Sequence, residues 1–597
     1  MLKWFGVLVM IVALMAESKD WRTDYEKSNY RRTPRYSQTI AFAKRLAAAS
    51  PMVDYQTFGQ SPQGRKLPLL VLDKNGHFTP EAVRESGNIV VLIMSGIHAG
   101  EIDGKDASLM LVRDIAIYQK MLSLLEHVTV LFIPIFNVDG HERFGPYNRI
   151  NQNGPEEMGW RVTAQNLNLN RDFLKADAPE MQAFLRLFQN WLPDVLVDCH
   201  VTDGADYQYV VTYGLDKSPQ VARPLRQWTA KVFEPLLVEG MQKAGIPTTA
   251  YFWIRDRKDP TKGLFRGVLS PRFSTGYGAI QNRIFLLIET HMLKPYQQRV
   301  NATYHMIQRV LEIANERYFE LKKINFEADR ESSQLSGKSL PIKFTINTAD
   351  TTWMDFAGKA VQLDSSEISG TTWVKFLPQP LTYRVPVFQT PMVVDSVRVP
   401  AAYLIPPQWQ SIINRLKLHG VQFYYLNEPM KLTVESYRFK DVQWQPHPYE
   451  GHHRVRYTLE PVTETRLFPR GTVVIFTNQR VNRVVVNALE PSAPDAFVAW
   501  GLWNTIFERK EYAENYKLEI LARQMLKRDS KLKVEFFHRL QTDSAFAANP
   551  RARLQFFYQR SPYWDQNYNR YPVGKMDTLP LEFRRKLSAQ NPLETTP

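Results

Sequence analysis

Five short runs of Val, Ile and Leu constrain this chain more than any other feature. They are LPLLVLD (67–73), NIVVLIMSG (88–96), VTVLFIPIFN (128–137), DVLVDCH (194–200) and IFLLIETH (284–291). A strand exposed on one face alternates apolar and polar residues, whereas these runs are apolar almost throughout. They therefore predict strands buried on both faces, as in a mostly parallel or mixed central sheet. Helical patterns lie between them. Asp103 to Met121 opens with Asp103 and Asp106, acidic residues placed where a helix N-terminus favours them. Pro179 to Trp191 carries Met181, Phe184, Leu185 and Phe188 at i, i+3, i+4 and i+7. From about Tyr25 to Arg330 the chain reads as an α/β layer structure.

At 597 residues the chain is too long for one ordinary core. The polar stretch EADRESSQLSGK (327–338) marks a change of rhythm. Beyond it come short Thr/Val/Tyr-rich strands with many prolines, such as IKFTIN, GTTWVKF, KLTVESY and GTVVIF. One helix interrupts them, Gln408 to His419, stopped by Gly420. From Ala493 the pattern is helical again, as in YAENYKLEILARQMLKR, and after Arg560 it is irregular. The expected organisation is a signal peptide over 1–16, an α/β domain over 17–335, a β-rich accessory domain over 336–490 and a helical, then irregular, C-terminal segment over 491–597.

The first residues, MLKWFGVLVMIVALMAESKDW, place Lys3 before an apolar run from Trp4 to Ala16. That run has the length of a signal-peptide core and is short for a bilayer span. Cleavage after Ala16 fits, although Leu14 is not the small residue preferred two positions earlier, and a short membrane anchor is the rival. No other run approaches transmembrane length. Cys199 is the only cysteine, so no intramolecular disulfide forms. An exported chain without disulfides suits a bacterial periplasm or surface better than a eukaryotic secretory route. The formal charge is +15, but the Lys and Arg residues are scattered, which fits a solvated basic surface and no nucleic-acid partner.

His-x-x-acid pairs are cheap: about one is expected by chance in a chain of this composition. Three occur, His98/Glu101, His200/Asp203 and His447/Glu450. Position separates them. In open α/β sheets chemistry gathers at the carboxyl ends of strands, and there MSGIHAGE supplies His98 and Glu101, VLVDCH supplies His200 and LLIETH supplies Glu289. Two imidazoles and one carboxylate, two of them on one turn and the third 99 residues on, suit a catalytic zinc with an open fourth position. Gly96 and Gly100 flank the turn and allow positive φ or close backbone approach. Taken singly, each residue has a bland reading: a capped loop, a satisfied strand-end histidine, a salt-bridged acid. The stretch GWRVTAQNLNLNRDF (159–173) adds Arg and Asn suited to a substrate carboxylate, or else an Asn-rich loop with Arg171 paired to Asp172. The histidines of QPHPYEGHHRVR, His447, His452 and His453, read as a solvated loop.

These motifs in this order resemble the M14 family of zinc carboxypeptidases: HAGE, Trp160-Arg161, Asn170-Arg171, the DCH at 198–200 and LLIET ending just past Glu289. The resemblance covers residues 93 to 290. It implies a three-layer α/β/α fold with a mixed sheet of about eight strands, and one Zn²⁺ held by His98, Glu101 and His200. It also implies that Arg161 steadies the oxyanion, Asn170 and Arg171 grip a free C-terminal carboxylate, and Glu289 is general base and then acid. The family's substrate-capping tyrosine is matched least well. Tyr277, in STGYGAI, is the nearest candidate, 12 residues before Glu289. The substrate implied is a peptide or peptide-like molecule. Two alternatives stand beside this reading: a zinc deacylase of the aspartoacylase or succinylglutamate desuccinylase type, and an inactive carboxypeptidase-like binding protein. Arg255, Arg257, Arg266 and Arg272 crowd one loop and offer a preference for acidic substrates, or are simply solvated.

Overall fold

The computed structural model describes residues 20–580, 582–591 and 593. The signal peptide expected over 1–16 lies outside them. All five apolar runs are strands of one eight-stranded sheet. Its members are β1 (Val53–Gln60), β2 (Lys66–Leu72), β3 (Ile89–Ser95), β4 (Val128–Ile133), β5 (Val195–Thr202), β6 (Val211–Gly214), β7 (Thr249–Ala250) and β8 (Ile284–His291). The spatial order is β1-β2-β4-β3-β5-β8-β6-β7. The four central strands β4, β3, β5 and β8 run parallel. Antiparallel pairing enters on either side, β1 and β2 with β4 at one flank and β6 against β8 at the other. The sheet is mixed, and every residue of β3, β4 and β5 is buried.

The period-2 geometry of a strand divides these apolar residues between two cores. Val90, Leu92 and Met94 of β3 face one, whereas Ile89, Val91 and Ile93 face the other. Helices Asp103–Ala116 and Tyr296–Glu316 close the second core with Leu109, Val112, Met306 and Val310. Helix Pro179–Trp191 lies on the first, presenting the expected Met181, Phe184, Leu185 and Phe188. The result is three layers, α/β/α.

The remainder of the chain is built onto the first core rather than hung from a linker. Val399, Tyr403, Ile405, Val473, Val484, Phe497 and Trp503 all belong to the cluster that also contains Leu92 and Phe184. Two long antiparallel hairpins dominate this accessory region, Thr352–Ser365 with Thr372–Phe388 and Met430–Trp444 with Val455–Phe468. The C-terminal segment from residue 491 returns to the accessory sheet: strand Gly574–Met576 pairs with Ala402–Ile405 and touches Met430–Trp444. Helices Asn515–Arg528, Ser530–Thr542 and Pro550–Tyr558 gather round a small core of their own containing Ala522, Phe536 and Phe556. Among the described residues no helix is long and apolar enough to cross a membrane.

Candidate active site

Parallel register sets the site. Ser95 pairs with Cys199, and His200 pairs with Glu289, so three strand ends meet at one edge of the sheet. The chain leaves β3 through Gly96, whose φ of +68° a side-chain-bearing residue rarely adopts. The turn closes with a hydrogen bond from Glu101 N to His98 O, 2.9 Å. Gly100 is required for a different reason from the one its place suggested. Its φ is ordinary, but an added Cβ would lie 2.5 Å from Arg149 Cδ and 2.8 Å from Gly159 O.

The side chains then converge. His98 Nδ1 and His200 Nδ1 are 3.2 Å apart, and they stand 3.1 and 3.0 Å from the two carboxylate oxygens of Glu101. Behind them, His98 Nε2 is 3.1 Å from Asn168 Oδ1, and His200 Nε2 is 2.9 Å from Asp198 Oδ2. Asn168 Oδ1 also accepts a hydrogen bond from Asn170 N. The Asn168 oxygen behind His98 places that imidazole's proton on Nε2 and leaves its Nδ1 lone pair facing the Glu101 carboxylate, while the Asp198 carboxylate stands behind His200. Three potential donor atoms lie as close together as the ligands of a single cation. Tetrahedral zinc with bonds near 2.0–2.1 Å spaces its ligand atoms about 3.3 Å apart, and the spacings here are 3.0–3.2 Å. The donor set and the oxygen partners behind the imidazoles both fit Zn²⁺ with an open position.

The electrostatics agree. Burial pushes the His98 imidazole down to about 4, which keeps it neutral. Burial also opposes charge on His200, but the adjacent carboxylates of Asp198 and Glu101 override it and hold that imidazole well above its usual value. Burial opposes ionisation of Glu101 as well; His98, Arg149 and the hydrogen bond from His200 hold it well below the carboxylate range. The space between these groups favours positive charge.

These groups line a pocket of about 630 Å³ together with Arg149, Arg161, Asn170, Arg171, Tyr251 and Glu289. Glu289 Oε2 is buried and has no hydrogen-bond partner. Burial pushes its carboxyl up to about 8, His200 pulls against this, and Glu101, Asp198 and Asp203 reinforce it. A divalent cation beside it would restore the ionised form. Arg161 Nη1 lies 3.2 Å from Glu101 Oε1, and its side chain, 43% exposed, lines the pocket. The Asn170 amide nitrogen is 3.4 Å from His200 Nε2. Arg171 donates to Asn170 O at 2.7 Å, and its guanidinium lies over the Phe273 ring.

Tyr277 stands elsewhere and does not cap the pocket. It is fully buried in helix Ser274–Ile280, with its hydroxyl 2.8 Å from His419 Nδ1 and accepting from Gln281. The glycines beside it permit tight packing and do not make a mobile loop: a Cβ at Gly276 would meet Ser270 O at 2.3 Å, and one at Gly278 would meet Phe285 at 2.5 Å. The tyrosine that does line the pocket is Tyr251. Sequence reasoning also missed Arg149, Asn168 and Asp198. Asp198 left a signal, since it lies two residues before His200 on a strand and shares its face. Asn168 lies two residues before Asn170, at the N-cap of the short helical turn Leu169–Arg171. Arg149 and Tyr251 left none.

A second cavity of about 280 Å³ adjoins the first, sharing Tyr251, Trp253, Leu269, Thr275 and Leu287. Of the four arginines offered for acidic substrates, Arg266 lines it. Arg272 is paired with Asp495 at 2.8 Å, and Arg255 lies over Phe388.

Residues 39–206 match the family model described as zinc carboxypeptidase. Carboxypeptidase 2 of Trichophyton rubrum is 24% identical over 485 residues, covering 77% of this chain and 82% of its own length. Carboxypeptidase 2 of Trichophyton equinum is 23% identical over 486 residues, with the same coverage. A solved metallo-carboxypeptidase from Pseudomonas aeruginosa overlaps 48% of this chain and 69% of its own, at 16% identity and a TM-score of 0.36. The chain is similar to zinc carboxypeptidases over residues 39–206 and to the Trichophyton carboxypeptidases over 77% of its length, and these likenesses support a peptide hydrolase of the metallo-exopeptidase class. The likeness to the Trichophyton proteins is longer than the α/β domain and runs into the accessory region. These relatives are fungal and lend nothing to the bacterial origin expected from the cysteine content. The family match ends at residue 206, so the place of Glu289 rests on geometry.

Proposed function

We propose that this chain removes the C-terminal amino acid from peptides using one Zn²⁺ held by His98 Nδ1, Glu101 and His200 Nδ1. When bound, the ion acidifies a water molecule and polarises the scissile carbonyl. The chain's own residues do the rest. Glu289 Oε2 accepts the proton of the attacking water and passes it to the departing amine. Arg161 turns from Glu101 toward the oxygen that gains charge, a type of stabilisation that is usually the largest catalytic term. Arg171 and Asn170 hold the terminal carboxylate, which fixes which bond lies over the reacting centre. The substrate is a peptide or peptide-like molecule with a free C-terminal carboxylate. The apolar run from Trp4 to Ala16 supports export as the route to it.

The observation that carries this reading is the convergence of three lone-pair donors beside a buried carboxylate oxygen with no protein partner. The test is a pair of peptides identical except for a free or amidated C-terminus. The free acid should be shortened by one residue, the amide strongly disfavoured, and chelation should abolish turnover until zinc is restored. Equal cleavage of both peptides would overturn the carboxylate assignment. Turnover of N-acyl amino acids alone would favour the deacylase.

A further inference from the structure

In the third His-x-x-acid motif, His447/Glu450, the histidine is exposed as in a solvated loop, but Glu450 turns back toward the α/β domain. Residues 445–454 are the tip of the accessory hairpin Met430–Trp444/Val455–Phe468, and this tip is pressed against the loop that carries Asn168, Asn170 and Arg171. The tip closes as a tight turn: Tyr449 and His452 exchange backbone hydrogen bonds of 2.8 and 3.1 Å. Its two central residues, Glu450 and Gly451, have φ of +50° and +79°. Glycine tolerates this. A glutamate there is strained, and a strained residue at a half-buried contact invites a functional explanation.

The Glu450 carboxylate supplies one. Its Oε2 accepts a 2.9 Å hydrogen bond from the backbone N of Asn168, 282 residues away in sequence. Asn168 is the residue whose side-chain oxygen faces His98 Nε2. Glu450 therefore holds the loop that orients a metal ligand. Next to it, the Tyr449 hydroxyl lies beside the Arg171 guanidinium, and 36% of Tyr449 is exposed.

The rest of the tip is fastened firmly enough to act as a fixed part. His452 Nε2 is 2.6 Å from Asp177 Oδ2, a carboxylate also paired with Lys175 and Arg415. The Tyr449 ring stacks on Trp500 at 5.9 Å and 14°. Trp500 in turn has Lys175, Arg272 and Arg454 within 5.6, 5.2 and 4.6 Å of its ring centre, one cation from the Asn170 side of the site, one from the loop before Glu289 and one from the hairpin.

We propose that this hairpin tip is a working part of the active site. Tyr449 is a positioning residue for the Arg171 guanidinium of the subsite that takes the substrate's terminal carboxylate, and Glu450 is a positioning residue for the metal ligand His98, acting through Asn168. The accessory region is thereby more than a scaffold: it completes the catalytic centre from outside the α/β domain. The Tyr449 half rests on the carboxypeptidase reading above. The Glu450 half does not, because it is judged by metal binding.

The experiment uses the full-length chain. Glu450→Gly removes the carboxylate while giving the turn the residue its φ prefers. If Glu450 serves only the turn, this variant melts at or above the wild-type temperature and binds zinc unchanged. The proposal expects the fold to be kept but the zinc dissociation constant, measured by chelator competition without substrate, to rise on the order of tenfold. Glu450→Gln, which keeps an oxygen acceptor for Asn168 N, should restore most of that affinity. Tyr449→Phe should raise KM for free-carboxylate peptides roughly tenfold, with the loss in KM rather than kcat. Wild-type zinc affinity in Glu450→Gly overturns the positioning role, and wild-type KM in Tyr449→Phe overturns the subsite role. If the wild-type protein binds zinc yet releases no C-terminal residue, the functional reading falls while the zinc arm still judges Glu450.

Discussion

Glu289→Gln separates holding the metal from moving the proton. Glutamine fills the same volume, and Glu289 Oε2 has no protein partner to lose. The three ligand atoms, the Asn168 and Asp198 oxygens behind them, and the Glu101 contact to Val201 N at 3.0 Å do not involve Glu289. The variant should therefore fold and carry one zinc per chain. What it loses is an acceptor for the proton of the attacking water. General acid–base catalysis contributes roughly 10²–10⁴ in rate, or about 3–5 kcal/mol of barrier at 1.36 kcal/mol per decade. Arg161 is untouched, so turnover should remain above background. The assay is kcat on a free-carboxylate peptide alongside elemental analysis for zinc. A kcat within about threefold of wild type, with zinc retained, would refute the assignment of proton transfer to Glu289.

Asp198→Asn tests the shell behind the metal: with the carboxylate 2.9 Å from His200 Nε2 made neutral, zinc affinity should fall about 10- to 100-fold, read by chelator competition, and an unchanged affinity would contradict the ligand orientation derived above. Arg171→Gln should raise KM for free-carboxylate peptides roughly ten- to a hundredfold while leaving the poor turnover of amidated ones nearly as it was; an equal loss on both would remove Arg171 from carboxylate binding. Glu180 offers a pH test away from the site. It is fully buried with neither oxygen partnered, and burial, reinforced by Asp139 and Asp172, pushes it from 4.5 up to about 7. The folded value lies above the unfolded one, so the stability present below pH 4.5 is lost as pH rises through about 7. Glu180→Gln should escape this loss, gaining up to about 3 kcal/mol over wild type at pH 8 relative to pH 4.5. Urea midpoints that shift equally at both pH values would contradict it.

The strands and the three ligands were legible because both are written locally. A strand buried on both faces must be apolar along its length, and a polar site residue at its carboxyl end interrupts that run visibly, as His98, His200 and Glu289 do. The partners behind the ligands were harder to see. Asp198 and Asn168 are marked only by a two-residue offset from a neighbour already singled out. Tyr277 misled because glycines at 276 and 278 read equally as flexibility or as close packing, and only the packed neighbours Ser270 and Phe285 decide between them. Glu450 was invisible as a functional residue. Its contact spans 282 residues, and nothing in PYEGHH says which backbone amide it will meet. How closely the region beyond residue 336 packs was hidden for a related reason: composition reports a change of rhythm but not that Tyr403 and Phe497 share a core with Leu92.

The account depends most on one ion held by three side chains. Crystals of the zinc-loaded protein, with anomalous data collected on both sides of the zinc absorption edge, locate that ion directly. One peak should lie about 2.0–2.2 Å from His98 Nδ1, from His200 Nδ1 and from a Glu101 oxygen. A chain saturated with zinc that shows no peak there, or shows it on other residues, would contradict the account.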